Sequence, residues 1–417
     1  MAKRKIATQC CIAGGGPAGM MLGLLLARAG VEVTVFEKHA DFLRDFRGDT
    51  IHPSTMQLMH ELGWLDEFLA RPHQKVEKLG AEFAGKYYQV ADFRHLPVEA
   101  KFIALMPQWD FLDFLAEKAA AYKTFTLRQS TEVTGLIKEQ GVVRGVTASG
   151  PDGAIELRAD LVIGADGRGS RLRAAAAMKA LNIGAPMDVL WFRMARAQSD
   201  PVETAGRIER GRLVILLNRG NYWQCALIIP KGEFEKVKAA GLAAFRGKIE
   251  TAVPFFKGRT GELTTWDKIK LLSVSVDRLE NWARPGLLCI GDAAHAMSPI
   301  GGVGINLAIQ DAVATANILA AKLRAGTVSL ADLELVQKRR EWPTRMTQAM
   351  QVKVQNNFLA PLLAHGGEDD AEMQAPLPIR ILNKIALLQR LPARMVGLGI
   401  RPEHIHSAEI RQPSGGP

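Results

Sequence analysis

A chain of 417 residues exceeds one ordinary hydrophobic core, so two domains and a tail are expected. With 47% hydrophobic and 23% charged residues, neither a disordered nor a fibrous protein fits. The formal net charge of +10 is spread along the chain and aromatic residues are only 6%, which argues against nucleic acid and for small anionic ligands. The four cysteines, Cys10, Cys11, Cys225 and Cys289, sit in apolar runs without a Cys-x-x-Cys pair. They read as buried reduced thiols of a cytoplasmic protein, and no metal site is expected. Lys3-Arg4-Lys5 precedes an apolar stretch too short for a signal peptide, so the start reads as mature protein. No uninterrupted apolar run approaches the ~20 residues of a membrane span.

Ile6–Ala13 reads as a strand. Gly14, Gly16 and Gly19 then form Gly-x-Gly-x-x-Gly, with Pro17 and Ala18 opening a helix that runs through Met20–Ala29. Val31–Phe36 is a second strand, ended by Glu37, 23 residues after Gly14, with Lys38 beside it. Glycines permit a tight turn and close approach to a pyrophosphate, the helix N-terminus carries its charge, and the carboxylate accepts ribose hydroxyls. An acid here suits an adenosine ribose without a 2′-phosphate, in NAD or FAD; the motif leaves that choice open.

Arg44 and Arg47 follow, and Arg47 is either a phosphate ligand or a surface charge. Pro53 starts a helix and Gly63 stops it. Phe68–Glu99, with Tyr87, Tyr88 and Phe93, crosses into a sheet-rich second domain. Met106–Ala121 is helical, and Gln108 near its start is a cap or a ligand contact. After strands over Phe125–Ser149 and Ile155–Ile163 comes a second corner, Gly164–Ser170, containing Asp166 and Gly167. Gly184–Thr265 reads as an antiparallel sheet with a helical piece at Lys231–Phe245; Trp191, Phe192, Met194, Trp223 and Leu227 are either core or the wall of an apolar pocket.

The third corner is Leu287–Asp311. A short strand, Leu287–Ile290, ends at Gly291-Asp292, and Pro299 leads to Gly301, Gly302 and Gly304. Ile305 and Asn306 then enter a helix, Leu307–Leu319. A glycine-rich turn feeding a helix offers unpaired N–H groups to an anion, or to a ring that becomes anionic on reduction. Leu323–Met350 is helical with breaks expected at Gly326 and Pro343. His365–Pro378 is a polar loop. Ile379–Leu391 is a short helix with Arg380, Lys384 and Arg390, read as packing on its own domain in preference to an acidic membrane surface.

The three corners, GGGPAG at 14–19 with Glu37, GADGRGS at 164–170 and GDAAHAMSPIGGVGINLAIQDA at 291–312, resemble the group A flavoprotein monooxygenases, the p-hydroxybenzoate hydroxylase-like superfamily, over residues 6–345. The resemblance implies an α/β fold: a Rossmann-like FAD-binding domain, a second antiparallel-sheet substrate domain and a helical C-terminal region. The expected division is 1–75, 101–183 and 269–345 for FAD, 76–100 and 184–268 for substrate, and 346–417 for the helical region and tail. It also implies non-covalent FAD. Gly14, Gly16, Gly19 and Glu37, with Pro17, Ala18 and Lys38, would hold the AMP half, Arg47 the pyrophosphate and Gln108 the flavin side chain. Asp166 and Gly167 would serve FAD and the nicotinamide, Asp292 the ribityl chain, Pro299 the isoalloxazine, and the backbone of Gly302, Gly304, Ile305 and Asn306 its N1–O2 edge. NADH or NADPH would reduce FAD, and O2 would pass through a flavin C4a-hydroperoxide to an aromatic, phenolic or polyketide-like substrate. His52, Tyr222 and His295 are candidate bases by type alone, and none is assigned. A monomer or homodimer is expected. The alternatives are a geranylgeranyl-reductase-like enzyme of a prenyl or lipid substrate, or a flavin-binding protein without turnover. A halogenase is disfavoured, because Cys225 and Leu227 stand where its signature has tryptophans.

Overall fold

The computed structural model describes residues 4–43, 50–202, 204–209, 212–364 and 374–410. Arg4–Ala13 runs parallel between Val33–Phe36 and Gly153–Gly164. Phe125–Arg128 adds in parallel outside Val33–Phe36, and Leu287–Cys289 outside Gly153–Gly164. The ends of the central strands are buried on both faces, as parallel sheets covered by helices require. Helix Pro17–Arg28 covers one face and packs on helices Gln108–Ala120 and Gly304–Arg324. Gly23 permits that approach: a Cβ there would lie 2.8 Å from Val35 Cγ2. Gly153–Gly164 also folds back on Val142–Gly150, which pairs with Glu132–Glu139.

The second sheet has seven strands in the order Lys270–Leu272, Met187–Ala195, Tyr222–Pro230, Arg212–Asn218, Ala205–Glu209, Lys78–Phe83 and Lys86–Asp92. Its pairings are antiparallel except Lys78–Phe83 with Ala205–Glu209, which is parallel. The last two strands come from the early excursion, between two stretches that build the first sheet. The helical piece expected at Lys231–Phe245 is two helices, Phe234–Ala239 and Leu242–Ala252, separated at Gly241, whose φ is +87°. Together the sheets and helices form the α/β p-hydroxybenzoate hydroxylase-like arrangement, with an antiparallel second sheet and C-terminal helices.

The apolar stretch Ile300–Arg324, which turns at Gly301 (φ +77°) before helix Gly304–Arg324, would suffice by length and composition to cross a membrane; 72% of its apolar window is buried inside the fold, so it belongs to the core. One C-terminal expectation needs correction, the helix break at Pro343. Helix Leu330–Val354 does not break at Pro343. It starts on a capping box between Ser329 and Asp332, and its buried face makes enough tertiary contacts to outweigh the amide bond lost at proline. All four cysteines are buried and unpaired. Loss of solvent raises their thiol pKa values, that of Cys289 to about 12, so they are inert.

A buried ionic chain ties the C-terminal region to the core. Asp311 Oδ2 lies 2.5 Å from His295 Nε2, and Arg340 Nε donates to Asp311 Oδ1 at 3.0 Å. Arg340 Nη1 donates to Glu403 Oε1 at 3.1 Å, and Arg339 also donates to Glu403. Burial raises the Asp311 pKa, but His295 and Arg340 more than offset it, leaving the carboxyl below its ordinary value. Its contribution to stability is therefore present above the unfolded pKa and is lost as pH falls through the folded one. Removing one member leaves a buried charge without its counterion. Arg340→Ala is expected to lower the unfolding free energy by about 3–5 kcal/mol in urea denaturation; a loss below ~1 kcal/mol, the range of a surface pair, would show that the cluster relaxes into water.

Candidate active site

The three corners meet because their strands end in one row. Ala13 is in register with Phe36 on one side and Gly164 on the other, and Gly164 with Cys289. Backbone bonds lock the exits: Gly14 N–H donates to Phe36 O at 2.8 Å, Ala165 N–H to Ala13 O at 2.8 Å and Ile290 N–H to Gly164 O at 3.0 Å. The carboxyl ends of parallel strands are where open α/β sheets bind ligands.

At the first corner Gly14 has φ +106°, and a Cβ there would lie 2.3 Å from Ala165 O. A Cβ on Gly19 would lie 1.9 Å from Gly14 O. Both positions require glycine for steric reasons. Gly16 differs: a Cβ there would meet nothing, and helix Pro17–Arg28 has no side-chain cap. Bare N–H groups facing open space fit a phosphate cradle. Glu37 Oε2 accepts from Gly15 N–H at 3.0 Å and Oε1 from His39 N–H at 3.0 Å, which holds the carboxylate at the mouth of the turn. Lys38 is exposed beside it.

The second and third corners are joined by an ion pair that the sequence reading missed. Arg168 Nε donates to Asp292 Oδ2 at 3.1 Å. Asp166 Oδ2 accepts from Leu172 N–H at 3.2 Å, while its buried Oδ1 has no hydrogen-bond partner among the described residues. Gly167 has φ +82°. Gly291 brings the first and third corners together, since a Cβ there would sit 3.2 Å from the Ala18 and Ala308 Cβ atoms.

Other elements hold the glycine loop of the third corner. Gln348 Nε2 donates to Asp277 O and Ala296 O, Gln351 Nε2 to Ser298 O and Ile300 O, and Gln355 Nε2 to Ser298 Oγ. These three buried glutamines are spaced three and four residues apart on one helical stretch and grip the chain on both sides of Pro299. From the other side, Thr50 Oγ1 donates to Gly302 O at 3.1 Å. Asn306 Oδ1 accepts from His52 N–H and Thr55 Oγ1, and its Nδ2 donates to Thr50 O. The Asn306 side chain is thus spent on the fold, leaving its backbone for a ligand. Helix Gly304–Arg324 has no side-chain cap, so the first-turn N–H groups of Gly304, Ile305 and Asn306 meet no side-chain oxygen among the described residues.

Strand alternation divides the expected pocket wall. Phe192, Met194, Trp223 and Leu227 share a core with Phe245 and Ile249 of helix Leu242–Ala252. Trp191 faces the other way, in a cluster with Val189, Ile215, Ala226, Ile228 and Ile300. Ile300 follows Pro299, so this face adjoins the third corner. The Trp191 Nε1–H is buried without a hydrogen-bond partner among the described residues.

Comparison with known proteins decides what these corners belong to. The family described as an FAD binding domain matches residues 7–350. The 6-methylpretetramide 4-monooxygenase of Streptomyces rimosus is 35% identical over 350 residues, covering 83% of each chain. A rifampicin monooxygenase of Streptomyces venezuelae is 29% identical over 308 residues, 72% of this chain and 61% of that protein. The solved structure of the anhydrotetracycline hydroxylase OxyS from Streptomyces rimosus superposes with a TM-score of 0.73 at 21% identity, over 95% of this chain and 77% of that one, and shows the fold alone. The chain belongs to this FAD-binding family. It is a flavoprotein monooxygenase acting on aromatic compounds, which retires the alternative without turnover.

Within the monooxygenase, Gln108 is half-buried in the first turn of its helix. Arg47 lies outside the described residues. Tyr222 stacks under Arg193, whose guanidinium carbon is 3.8 Å from the ring centroid. His295 is committed to Asp311. His52 is fully buried, with Nδ1 2.7 Å from Val396 O, so Nδ1 carries the proton and Nε2 is a bare acceptor. Burial lowers its pKa from 6.5 to about 4, the Val396 bond opposing only in part. Between those values the unfolded chain binds a proton that the folded enzyme does not, so stability is lost as pH falls from 6.5 to about 4. His52→Asn is expected to remove roughly 3 kcal/mol of that pH dependence, read as denaturation midpoints at neutral and acid pH. Parallel pH profiles for the variant and the parent would show that His52 is not held neutral.

Proposed function

We propose that this monooxygenase uses NADH or NADPH and O2 to hydroxylate a phenolic, polyketide-like aromatic compound. The compound lies between the third corner and the face of the second sheet that carries Trp191. The observation carrying this reading is the apolar cluster that joins Trp191, Val189 and Ala226 to Ile300, beside Pro299. The name of the 35% identical relative, 6-methylpretetramide 4-monooxygenase, supports the class.

When FAD is bound, the chemistry supplied here is hydride acceptance from the nicotinamide and activation of O2. The chain's own residues do the rest. The Gly14–Gly19 turn and the open helix end take the pyrophosphate, with Lys38 adding positive charge, and Glu37 accepts the ribose hydroxyls. Asp292, oriented by Arg168, accepts from the ribityl chain, and Gln108 contacts the same side chain. Asp166 and Gly167 border both nucleotides. Pro299 and the side-chain-free Gly302 admit the ring. The N–H groups of Gly304, Ile305 and Asn306, at a positive helix end, stabilise negative charge on its edge. Val189, Ile215 and Ala226 exclude water, and the free Trp191 Nε1–H is placed to orient a substrate oxygen.

Two measurements test this. FAD-loaded protein is given NADH or NADPH in air with a panel of simple phenols and fused-ring aromatic acids, recording oxygen uptake and peroxide together. One class should speed nicotinamide oxidation while peroxide falls short of oxygen consumed; oxygen recovered wholly as peroxide with every compound would overturn the reading. Separately, Asp292→Ala should weaken FAD retention by about tenfold, the loss expected for a hydrogen bond to a charged group. Unchanged retention on gel filtration would remove Asp292 from the site.

A further inference from the structure

The segment after the acidic stretch packs on the fold through one face and leaves an apolar ridge on the other. Helix Leu377–Lys384, the turn Ala386–Gln389 and helix Arg390–Gly397 lie against strand Lys86–Asp92. The inward contacts are complete. Asn383 Oδ1 accepts from Gln89 N–H at 2.9 Å, Gln389 bonds Gln89 and Leu382 O, and Ala393 and Leu398 enter a core with Phe93 and Leu96. Internal packing is therefore already satisfied without the ridge.

Outward stand Leu377, Ile381, Ile385, Leu387, Leu388 and Leu391, with Leu377, Leu387 and Leu391 each about two-thirds exposed at 65%, 64% and 65%. Six large exposed apolar side chains within fifteen residues is a concentration of the kind that marks an interaction surface. Arg380, Lys384, Arg390 and Arg394 are exposed alongside them. From Gln374 to Pro402 the sequence has no aspartate or glutamate; Glu368, Asp369, Asp370 and Glu372 precede it and lie outside the described residues.

We propose that this face docks the enzyme on an anionic lipid bilayer, the leucines and isoleucines entering the headgroup boundary and the arginines and lysine meeting lipid phosphates. An apolar ridge with cations beside it and no carboxylate between Gln374 and Pro402 is the pattern of an interfacial amphipathic helix. Charge selects the occupant. A two-fold contact between copies would set the same four cations of each copy against one another, whereas an anionic surface neutralises them.

The test is sedimentation of the FAD-loaded enzyme with phosphatidylcholine vesicles, with or without phosphatidylglycerol. Binding is expected only to the anionic vesicles and should fall with added salt. Leu387→Glu with Leu391→Glu should cut bound protein about tenfold or more while FAD content and thermal midpoint stay unchanged. Arg380→Gln with Arg390→Gln keeps the ridge and should weaken binding to anionic vesicles alone. Absence of wild-type binding to either vesicle overturns the proposal. So does a wild-type dimer in sedimentation equilibrium that the Leu387→Glu, Leu391→Glu variant converts to monomer without vesicle binding, which would make this face a contact between copies.

Discussion

Asp311 accepts three hydrogen bonds at once: from Gly291 N–H at 3.1 Å, from His295 Nε2 at 2.5 Å and from Arg340 Nε at 3.0 Å. Its side chain is wholly buried, and a lone carboxylate there would be driven to protonate. Kept ionised by its partners, it draws the turn that carries Asp292, the glycine-fed helix and helix Leu330–Val354 to one point. Arg340 passes the constraint on to Glu403, so the far end of the chain helps fix a turn more than a hundred residues earlier. Buried ion pairs contribute little net stability compared with packed apolar groups. What this chain of charges supplies is position.

Position must be supplied from outside because a ligand-binding loop made of glycine cannot hold itself. Gly301, Gly302 and Gly304 have no side chains with which to grip their surroundings, and the N–H groups a ligand needs cannot also be spent on the fold. The surrounding side chains compensate. Gln348, Gln351 and Gln355 hold the approach to Pro299, while Thr50 and Asn306 hold the exit. The same division applies at the first corner, where Glu37 braces Gly15 and leaves Gly16 open.

This division explains which parts of the site were legible beforehand. Glycine is demanded locally at Gly14 by its φ of +106° and at Gly19 by the nearness of Gly14 O, and Glu37 and Asp292 each follow the end of a strand, so spacing along the chain exposes them. The bracing residues answer to distant partners. Nothing near Gln351 indicates that its amide will meet Ser298 and Ile300, and nothing near Glu403 points to Arg340, 63 residues away. Arg168 was written inside a recognised motif, yet its pairing with Asp292 depends on strand register and not on the motif. Pro343 shows the same limit in reverse. A strong local breaker lost to the summed contacts of the helix around it, including Arg340 on one side and Gln348 on the other.

The second sheet carries the point furthest. Met187–Leu190 and Trp223–Ile229 are buried at every position, so no alternation of polar and apolar residues tells which face is which. Helix Leu242–Ala252 resolves the ambiguity by covering one face and claiming Phe192, Met194, Trp223 and Leu227. The remaining face, with Val189, Trp191, Ala226 and Ile228, packs on Leu359 and Leu362 of the C-terminal helices and on Ile300 of the glycine loop. Neighbours in sequence therefore have unrelated surroundings: Phe192 is held in a core by Phe245, while Trp191, one residue earlier, packs in the cluster that includes Ile300 and keeps its indole N–H without a partner among the described residues. In such a sheet each face takes every second residue of a strand, and a register slip of one position would exchange the two faces.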